Sequence, residues 1–154
     1  MILAHLPAGY LTGRAMGARR GLVLWAALLG GVFPDFDMFW FHLVDQGSVH
    51  HHRYPVHIPG FWALVALIAL PLIRLMRPAL FAPACAFLAA IAVHLVLDSV
   101  GGGILWLWPF NDQLYSLIKV PATQSHWVLS FIFHWSFLAE IAIVGSAVWV
   151  WLKT

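Results

Sequence analysis

The fold is decided by a long apolar run that ends in two ionisable residues: residues 79–98 read ALFAPACAFLAAIAVHLVLD. Nothing in 79–93 is charged, and His94 and Asp98 follow at a spacing of four. On a helix, side chains at this spacing lie about 5–6 Å apart on one face, where both can hold one metal ion. Ionisable groups at membrane depth are costly and usually functional. We therefore predict a membrane helix that ends in part of a site.

The composition indicates an integral membrane protein. The 154 residues are 62% hydrophobic and 9% charged, whereas a soluble domain carries about 25% charged residues. This leaves too little polar surface to cover a water-soluble globule. The net charge of +2, without a basic block, argues against a nucleic-acid partner. The single cysteine, Cys85, excludes a disulfide framework and a thiolate metal site.

Other apolar segments predict the remaining helices. Runs at 21–34, 58–73 and 127–152 accompany 79–93, and residues 3–18 form a shorter candidate helix before them. A membrane-spanning helix needs about 20 residues, so the runs at 21–34 and 58–73 must take flanking polar residues into the membrane. We expect an all-α fold in which residues 1–154 form a single domain, an integral membrane bundle of four or five helices.

The charged residues sort by helix end. If the helices alternate in direction, the basic residues fall on one side, which the positive-inside rule makes cytoplasmic. These residues are Arg14, Arg19, Arg20, Arg74, Arg77 and Lys153. Histidines and aspartates from separate segments then meet on the opposite, non-cytoplasmic side of a multi-pass protein. The candidate metal ligands are His5, Asp35, Asp37, His52, His57, His94 and Asp98.

This set of donors predicts a divalent metal centre. Imidazole and carboxylate donors without thiolates suit Zn²⁺, with Mn²⁺ or Fe²⁺ as alternatives. A catalytic zinc takes about three protein ligands, so the number of candidates indicates one or two ions, and two fit better. Either Asp35 or Asp37 could bind metal while the other orients a histidine or acts as a base. The planar guanidinium of Arg53 could hold a phosphate oxygen.

The order of these motifs resembles the YdjM-like inner-membrane metal-dependent hydrolase family. The motifs are His5, Pro34-Asp35-Phe36-Asp37, His52-Arg53 with His57, His94 with Asp98, and Trp108-Pro109-Phe110, so the resemblance covers residues 5–110. It favours His52 and His57 over His50 and His51 as ligands, and it implies a helical hydrolase of the inner membrane. The helix with His94 and Asp98 is also similar, more weakly, to zinc-dependent phospholipase C.

We therefore expect metal-assisted hydrolysis of a lipid or lipid-linked substrate near the outer membrane interface. Arg53 favours a phosphoester, with Asp35, Asp37 and Arg53 as catalytic residues and with Arg53 and Trp108 as substrate-binding residues. The alternatives are a membrane amidase or esterase that uses the same metal-bound hydroxide, and a metal-binding transporter or sensor. A transporter needs polar residues that continue through the membrane, and only His134 and Glu140 offer them. The roles of His50, His51, His134 and Glu140, and the oligomeric state, stay open.

Overall fold

The computed structural model describes residues 3–154 and confirms the all-α class. Within that range there is no β-strand, only an isolated antiparallel bridge between Ile104 and Tyr115. The helices are α1 (His5–Ala15), α2 (Leu22–Val32), α3 (Asp37–Leu43), α4 (Pro59–Met76), α5 (Phe81–Asp98), α6 (Trp127–Ile132) and α7 (Phe137–Leu152). Single 3-10 turns lie at Pro34–Phe36, His51–Arg53, Pro55–His57 and Pro78–Leu80.

The predicted segments are all helical, but the last one is divided. The sequence predicts one segment over 127–152, whereas α6 and α7 are separated by a turn at residues 133–136. In this turn the Nδ1 atom of His134 lies 2.8 Å from the Oγ atom of Ser136. Side-chain hydrogen bonds of this kind give the chain a local alternative to the helical ladder. Hydropathy alone does not show such a break.

Within the described residues, two stretches are long and apolar enough to cross a membrane. They are α4, Pro59–Met76, and the stretch Pro78–Asp98 that contains α5. A third span is possible if α2 and Pro34–Leu43 are taken together, although they are bent by 51°. The bend follows from Pro34, which has no N–H for the helical ladder. It places Asp35 and Asp37 at the break rather than on a continuous helix.

Helices α1, α2 and α5 pack closely because glycines lie where they meet. A Cβ atom built on Gly30 would lie 2.3 Å from the carbonyl oxygen of Phe87 in α5. One built on Gly31 would lie 2.6 Å from the carbonyl oxygen of His5 in α1. Small residues allow membrane helices to approach backbone to backbone in this way. The approach brings together the ends of three helices that carry or border the predicted ligands.

Candidate metal centre

Four buried histidines meet where α1, α5 and the two turns after α3 converge. The exposed fractions are 4% for His5, 4% for His52, 0% for His57 and 1% for His94. The ring centroids of His5 and His94 lie 3.7 Å apart, and those of His52 and His57 lie 4.7 Å apart. Histidines predicted from separate segments of the sequence therefore form one cluster.

Backbone carbonyls hold two of these rings by their Nδ1 atoms. The Nδ1 atom of His94 lies 2.7 Å from the carbonyl oxygen of Gly31, and that of His52 lies 2.8 Å from the carbonyl oxygen of Gly103. Because a carbonyl only accepts hydrogen bonds, both Nδ1 atoms must carry the proton. The neutral ring then has its lone pair on Nε2.

Aspartates hold the other two rings in the same manner. The Nδ1 atom of His5 lies 2.9 Å from Oδ2 of Asp35, and the Nδ1 atom of His57 lies 2.7 Å from Oδ2 of Asp37. An ionised carboxylate also only accepts hydrogen bonds, so it places the proton on Nδ1. In the neutral form of each of the four rings, the lone pair is therefore on Nε2.

The Nε2 atoms of the four rings surround the carboxylate of Asp98. Its Oδ1 atom is 3.1 Å from Nε2 of His5, and its Oδ2 atom is 3.0 Å from Nε2 of His94. The Nε2 atoms of His52 and His57 each lie 3.6 Å from Oδ2. All of these nitrogens are buried, and those of His5 and His94 lie at ion-pair distance from Asp98. Imidazole nitrogens gathered around a buried carboxylate in this way could hold a metal ion between them.

Asp35 completes the inner surface of the cluster. Its Oδ1 atom lies 3.7 Å from Nε2 of His94 and 4.0 Å from Nε2 of His57. One donor atom from each of Asp35, His57, His94 and Asp98 lies within 4.8 Å of the others. Buried nitrogen and oxygen donors that are already oriented fit a divalent transition metal.

A second group of donors overlaps the first. His51, His52 and His57 also each offer a donor atom within 4.8 Å of the others. Because Asp37 holds Nδ1 of His57, the ring has only Nε2 to offer and can serve one ion at a time. The cluster could therefore hold one ion with His57 as a ligand. A second ion would have to use His51 and His52 together with an oxygen of Asp98.

The two aspartates of the Asp35-Phe36-Asp37 motif occupy different positions. Asp35 faces the Nε2 atoms, whereas Asp37 lies behind His57 and 3.8 Å from Nδ1 of His51. The sequence leaves open which of the two binds metal and which orients a histidine. Both aspartates contact Nδ1 of a histidine, and of the two only Asp35 also lies near the Nε2 atoms of the cluster.

Burial keeps His52 ready to bind metal at neutral pH. Removal of the ring from water lowers the pKa of His52 to about 3, although the nearby Asp98 carboxylate acts in the opposite direction. Only the neutral imidazole has a lone pair for a metal ion. Protons therefore do not compete for His52 near pH 7.

Replacing Asp37 by asparagine should weaken metal binding without abolishing it. Asparagine can still accept the hydrogen bond from His57, but it lacks the charge that makes the imidazole a stronger donor to metal. Loss of such an outer partner typically lowers metal affinity by about 10- to 100-fold. Competition with a fluorescent chelator measures this change, and Asp112→Asn, at an exposed aspartate, is the matched control. Equal affinities in both variants would remove Asp37 from its orienting role.

Other histidines have local structural contacts. The backbone N–H of His52 donates to Nδ1 of His50 at 3.2 Å, and the backbone N–H of Val128 donates to Nδ1 of His126 at 3.3 Å. Each ring therefore caps the start of a helical turn. His134, as described above, bonds Ser136 in the turn before α7.

Glu140 in α7 contacts the segment that precedes a ligand. It is 1% exposed, and its Oε2 atom accepts a hydrogen bond of 2.7 Å from the backbone N–H of Leu3. This contact ties α7 to the start of α1, two residues before His5. The position of Glu140 in an apolar segment marks it as unusual, but the sequence does not show its partner.

Arg53 and Trp108, the predicted substrate-binding residues, line one cavity beside the centre. The cavity has a volume of about 410 Å³. It is also lined by Pro55, Ile58, Phe61, Leu105 and Asp112. Arg53 directly follows His52, so the cavity and the centre share the same segment of chain.

Known proteins match the chain over nearly its whole length. The model of a family described as YdjM inner membrane protein matches residues 1–153. Inner membrane protein YbcI of Escherichia coli (strain K12) is 27% identical over 163 residues, which cover 98% of this chain and 90% of that protein. No solved structure matches the chain with significance. The family match extends past residues 5–110 and includes the last helix.

Proposed function

This chain belongs to the YdjM inner membrane protein family, and from its metal centre we propose that it is a membrane-bound, metal-dependent hydrolase. The observation that best supports the proposal is the common orientation of four imidazoles. The Nδ1 atom of each ring contacts a backbone carbonyl or an aspartate oxygen. The Nε2 atom of each ring lies within 3.6 Å of the Asp98 carboxylate. Proteins orient metal-binding histidines in this way.

We propose zinc as the metal, with manganese or iron as alternatives, and one or two ions. The residues that would hold it are His5, Asp35, His52, His57, His94 and Asp98. A bound divalent ion would polarise a substrate oxygen and lower the pKa of a water molecule. Asp35 has 39% of its side chain exposed, whereas Asp98 has 2%. An incoming water or substrate can therefore reach Asp35 more easily than Asp98. We propose that Asp35 accepts the proton that the attacking water loses.

The proposed substrate is a phosphoester of a lipid or lipid-linked molecule. Arg53 is exposed and directly follows His52, so it can hold a phosphate oxygen beside the centre. Its planar guanidinium binds phosphate through two parallel hydrogen bonds. Exposed aromatic residues of the nearby loop, including Trp108 and Phe110, suit a position at the membrane interface.

The alternatives differ in what they need from the rest of the molecule. An amidase or esterase would use the same centre on a neutral carbonyl carbon. A transporter would need polar groups that continue through the membrane, but His134 bonds Ser136 and Glu140 accepts from Leu3. These structural contacts favour a hydrolase.

A lipid panel tests the proposal. Purified protein in detergent micelles is stripped with chelator, reloaded with zinc, manganese or iron, and incubated with phospholipids, lipid phosphates, acyl esters and acyl amides. We expect release of phosphate or a phosphorylated head group that is lost on chelation and restored by one metal. Release of fatty acid alone would support the amidase or esterase. Absence of hydrolysis by a metal-loaded protein would support a binding role.

We also propose that the centre faces the non-cytoplasmic side of the inner membrane. Pro59 lies two residues after His57, and α4 ends at Met76 after a rise of about 27 Å. In a Cys85→Ser background, Ser48→Cys should react with an impermeant maleimide in intact spheroplasts. Met76→Cys should react only after permeabilisation, because the neighbouring Arg74 and Arg77 are then cytoplasmic. The opposite pattern of labelling would invert the topology.

A further inference from the structure

The cavity beside the centre is separated from it by a single segment of chain. His52 and His57 of this segment are buried in the centre, whereas Arg53, Pro55 and Ile58 line the cavity. The same short stretch therefore presents metal ligands on one side and cavity walls on the other. A molecule in the cavity would therefore lie against the segment that carries two of the candidate ligands.

The opposite wall is built from the loop after α5. Leu105 and Trp108 line it, and a Cβ atom built on Gly60 would lie 3.1 Å from the carbonyl oxygen of Trp108. The loop thus passes close over the start of α4. The bridge between Ile104 and Tyr115 joins two parts of this loop to each other, and the carbonyl oxygen of Gly103 in the loop contacts Nδ1 of His52. The cavity wall is therefore formed before a ligand binds.

The chemistry of the cavity is that of an amphiphile site. Pro55, Ile58, Phe61 and Leu105 supply apolar walls, and its volume lies in the usual range for small-molecule sites, about 300–1,000 Å³. Its lining carries one cation, Arg53, and one carboxylate, that of the exposed Asp112. The Nη2 atom of Arg53 is 3.4 Å from the carbonyl oxygen of Asp112, a long contact that leaves other guanidinium donors for an anion.

We propose that this cavity binds the hydrocarbon chain of a lipid phosphate, with the phosphate held by Arg53. The proposal rests on the proposed function and narrows its substrate to an amphiphile with a chain adjacent to the phosphate. Apolar walls recognise the chain by removing it from water, and Arg53 distinguishes the anion from an uncharged amphiphile. Lipid that only touches the outer faces of α4 and α7 would not contact both the apolar cavity walls and Arg53.

Photo-crosslinking in metal-free protein tests the site independently of hydrolysis. The probe is a dodecylphosphonate that carries a diazirine at its chain end, and the protein is reconstituted in phosphatidylcholine nanodiscs with chelator present. We expect labelled peptides from residues 53–61 and 105–108. Unlabelled dodecylphosphonate should compete, whereas inorganic phosphate and dodecanol at equal concentration should not.

Two phenylalanines give a matched pair of variants. Phe61 lines the cavity, and Phe110 is 95% exposed outside it. Phe61→Ala should lower probe affinity roughly tenfold, because it removes one apolar wall, and Phe110→Ala should leave it unchanged. Labelling spread along α4 and α7, competition by dodecanol alone, or equal affinity in both variants would overturn the proposal. Hydrolysis of lipids without cavity labelling would keep the proposed function and reject this subsite.

Discussion

Replacing His94 by alanine should remove the metal ion that we propose this centre binds. His94 presents Nε2 3.0 Å from Asp98, and its Nδ1 atom is held by the carbonyl oxygen of Gly31, so alanine removes one donor that is already oriented toward the centre. Loss of a residue that only hydrogen-bonds to a metal ligand typically lowers metal affinity by about 10- to 100-fold. For the loss of a ligand itself, we expect the metal affinity to fall by about 100-fold or more. Elemental analysis of purified protein after dialysis against a mild chelator measures the retained metal.

The same experiment includes a second ligand and a control. Asp98→Asn should lose metal to a similar extent, because Asp98 lies nearest to all four Nε2 atoms. His134→Ala removes a histidine whose described side-chain contact is to Ser136, and it should retain the metal of the unmodified protein. Circular dichroism checks that each variant keeps its helices. Full occupancy in His94→Ala and Asp98→Asn would exclude both residues as ligands.

Replacing Arg53 by lysine should leave the metal in place and reduce hydrolysis of lipid phosphoesters. Lysine keeps the charge but loses the planar fork that fits two phosphate oxygens. A hydrogen bond to a charged group contributes about 1.5–3 kcal/mol, so we expect a decrease in kcat/KM of roughly 10- to 100-fold. The assay compares phosphate release by the unmodified protein and the variant on one lipid, with metal content measured in parallel.

Arg74 supplies the control for this substitution. It lies in the last turn of α4, far along the helix from the centre, and Arg74→Lys should not change activity. If the unmodified protein cleaves only acyl lipids and Arg53→Lys is as active, the phosphoester proposal is wrong. The amidase or esterase alternative would then take its place.

The sequence predicts which residues approach one another because the ends of its apolar runs mark the ends of the helices. The spacing of His94 and Asp98, and the proline before Asp35, indicate ionisable groups at the ends of apolar runs. Alternation of helices then places these ends on one side of the membrane. These arguments use periodicity and charge, whereas the choice of His52 and His57 over His50 and His51 rests on the family resemblance.

The orientation of the rings could not be predicted in this way. The nitrogen that a histidine presents depends on its partner, and the partners of His94 and His52 are backbone carbonyls of Gly31 and Gly103. A backbone carbonyl carries no signal in the sequence, since every residue has one. Only the packing of α2 on α5 and the path of the loop after α5 bring these carbonyls to the rings.

The difference between Asp35 and Asp37 also depends on local geometry. Both follow Pro34, and the sequence shows only that they are two residues apart. The 3-10 turn and the start of α3 direct one carboxylate toward His5 and the centre and the other toward His57. Likewise, Glu140 accepts a hydrogen bond from a backbone N–H 137 positions away, which no local pattern reveals.

The most direct test of a metal centre is anomalous scattering from crystals of the purified protein, measured at the zinc, manganese and iron edges. We predict at least one ion within about 2.0–2.2 Å of Nε2 of His94 and of a carboxylate oxygen of Asp98. No sulfur ligand should be present. A structure of protein supplied with these metals that places every ion elsewhere, with the Nε2 atoms paired to other groups, would contradict the account.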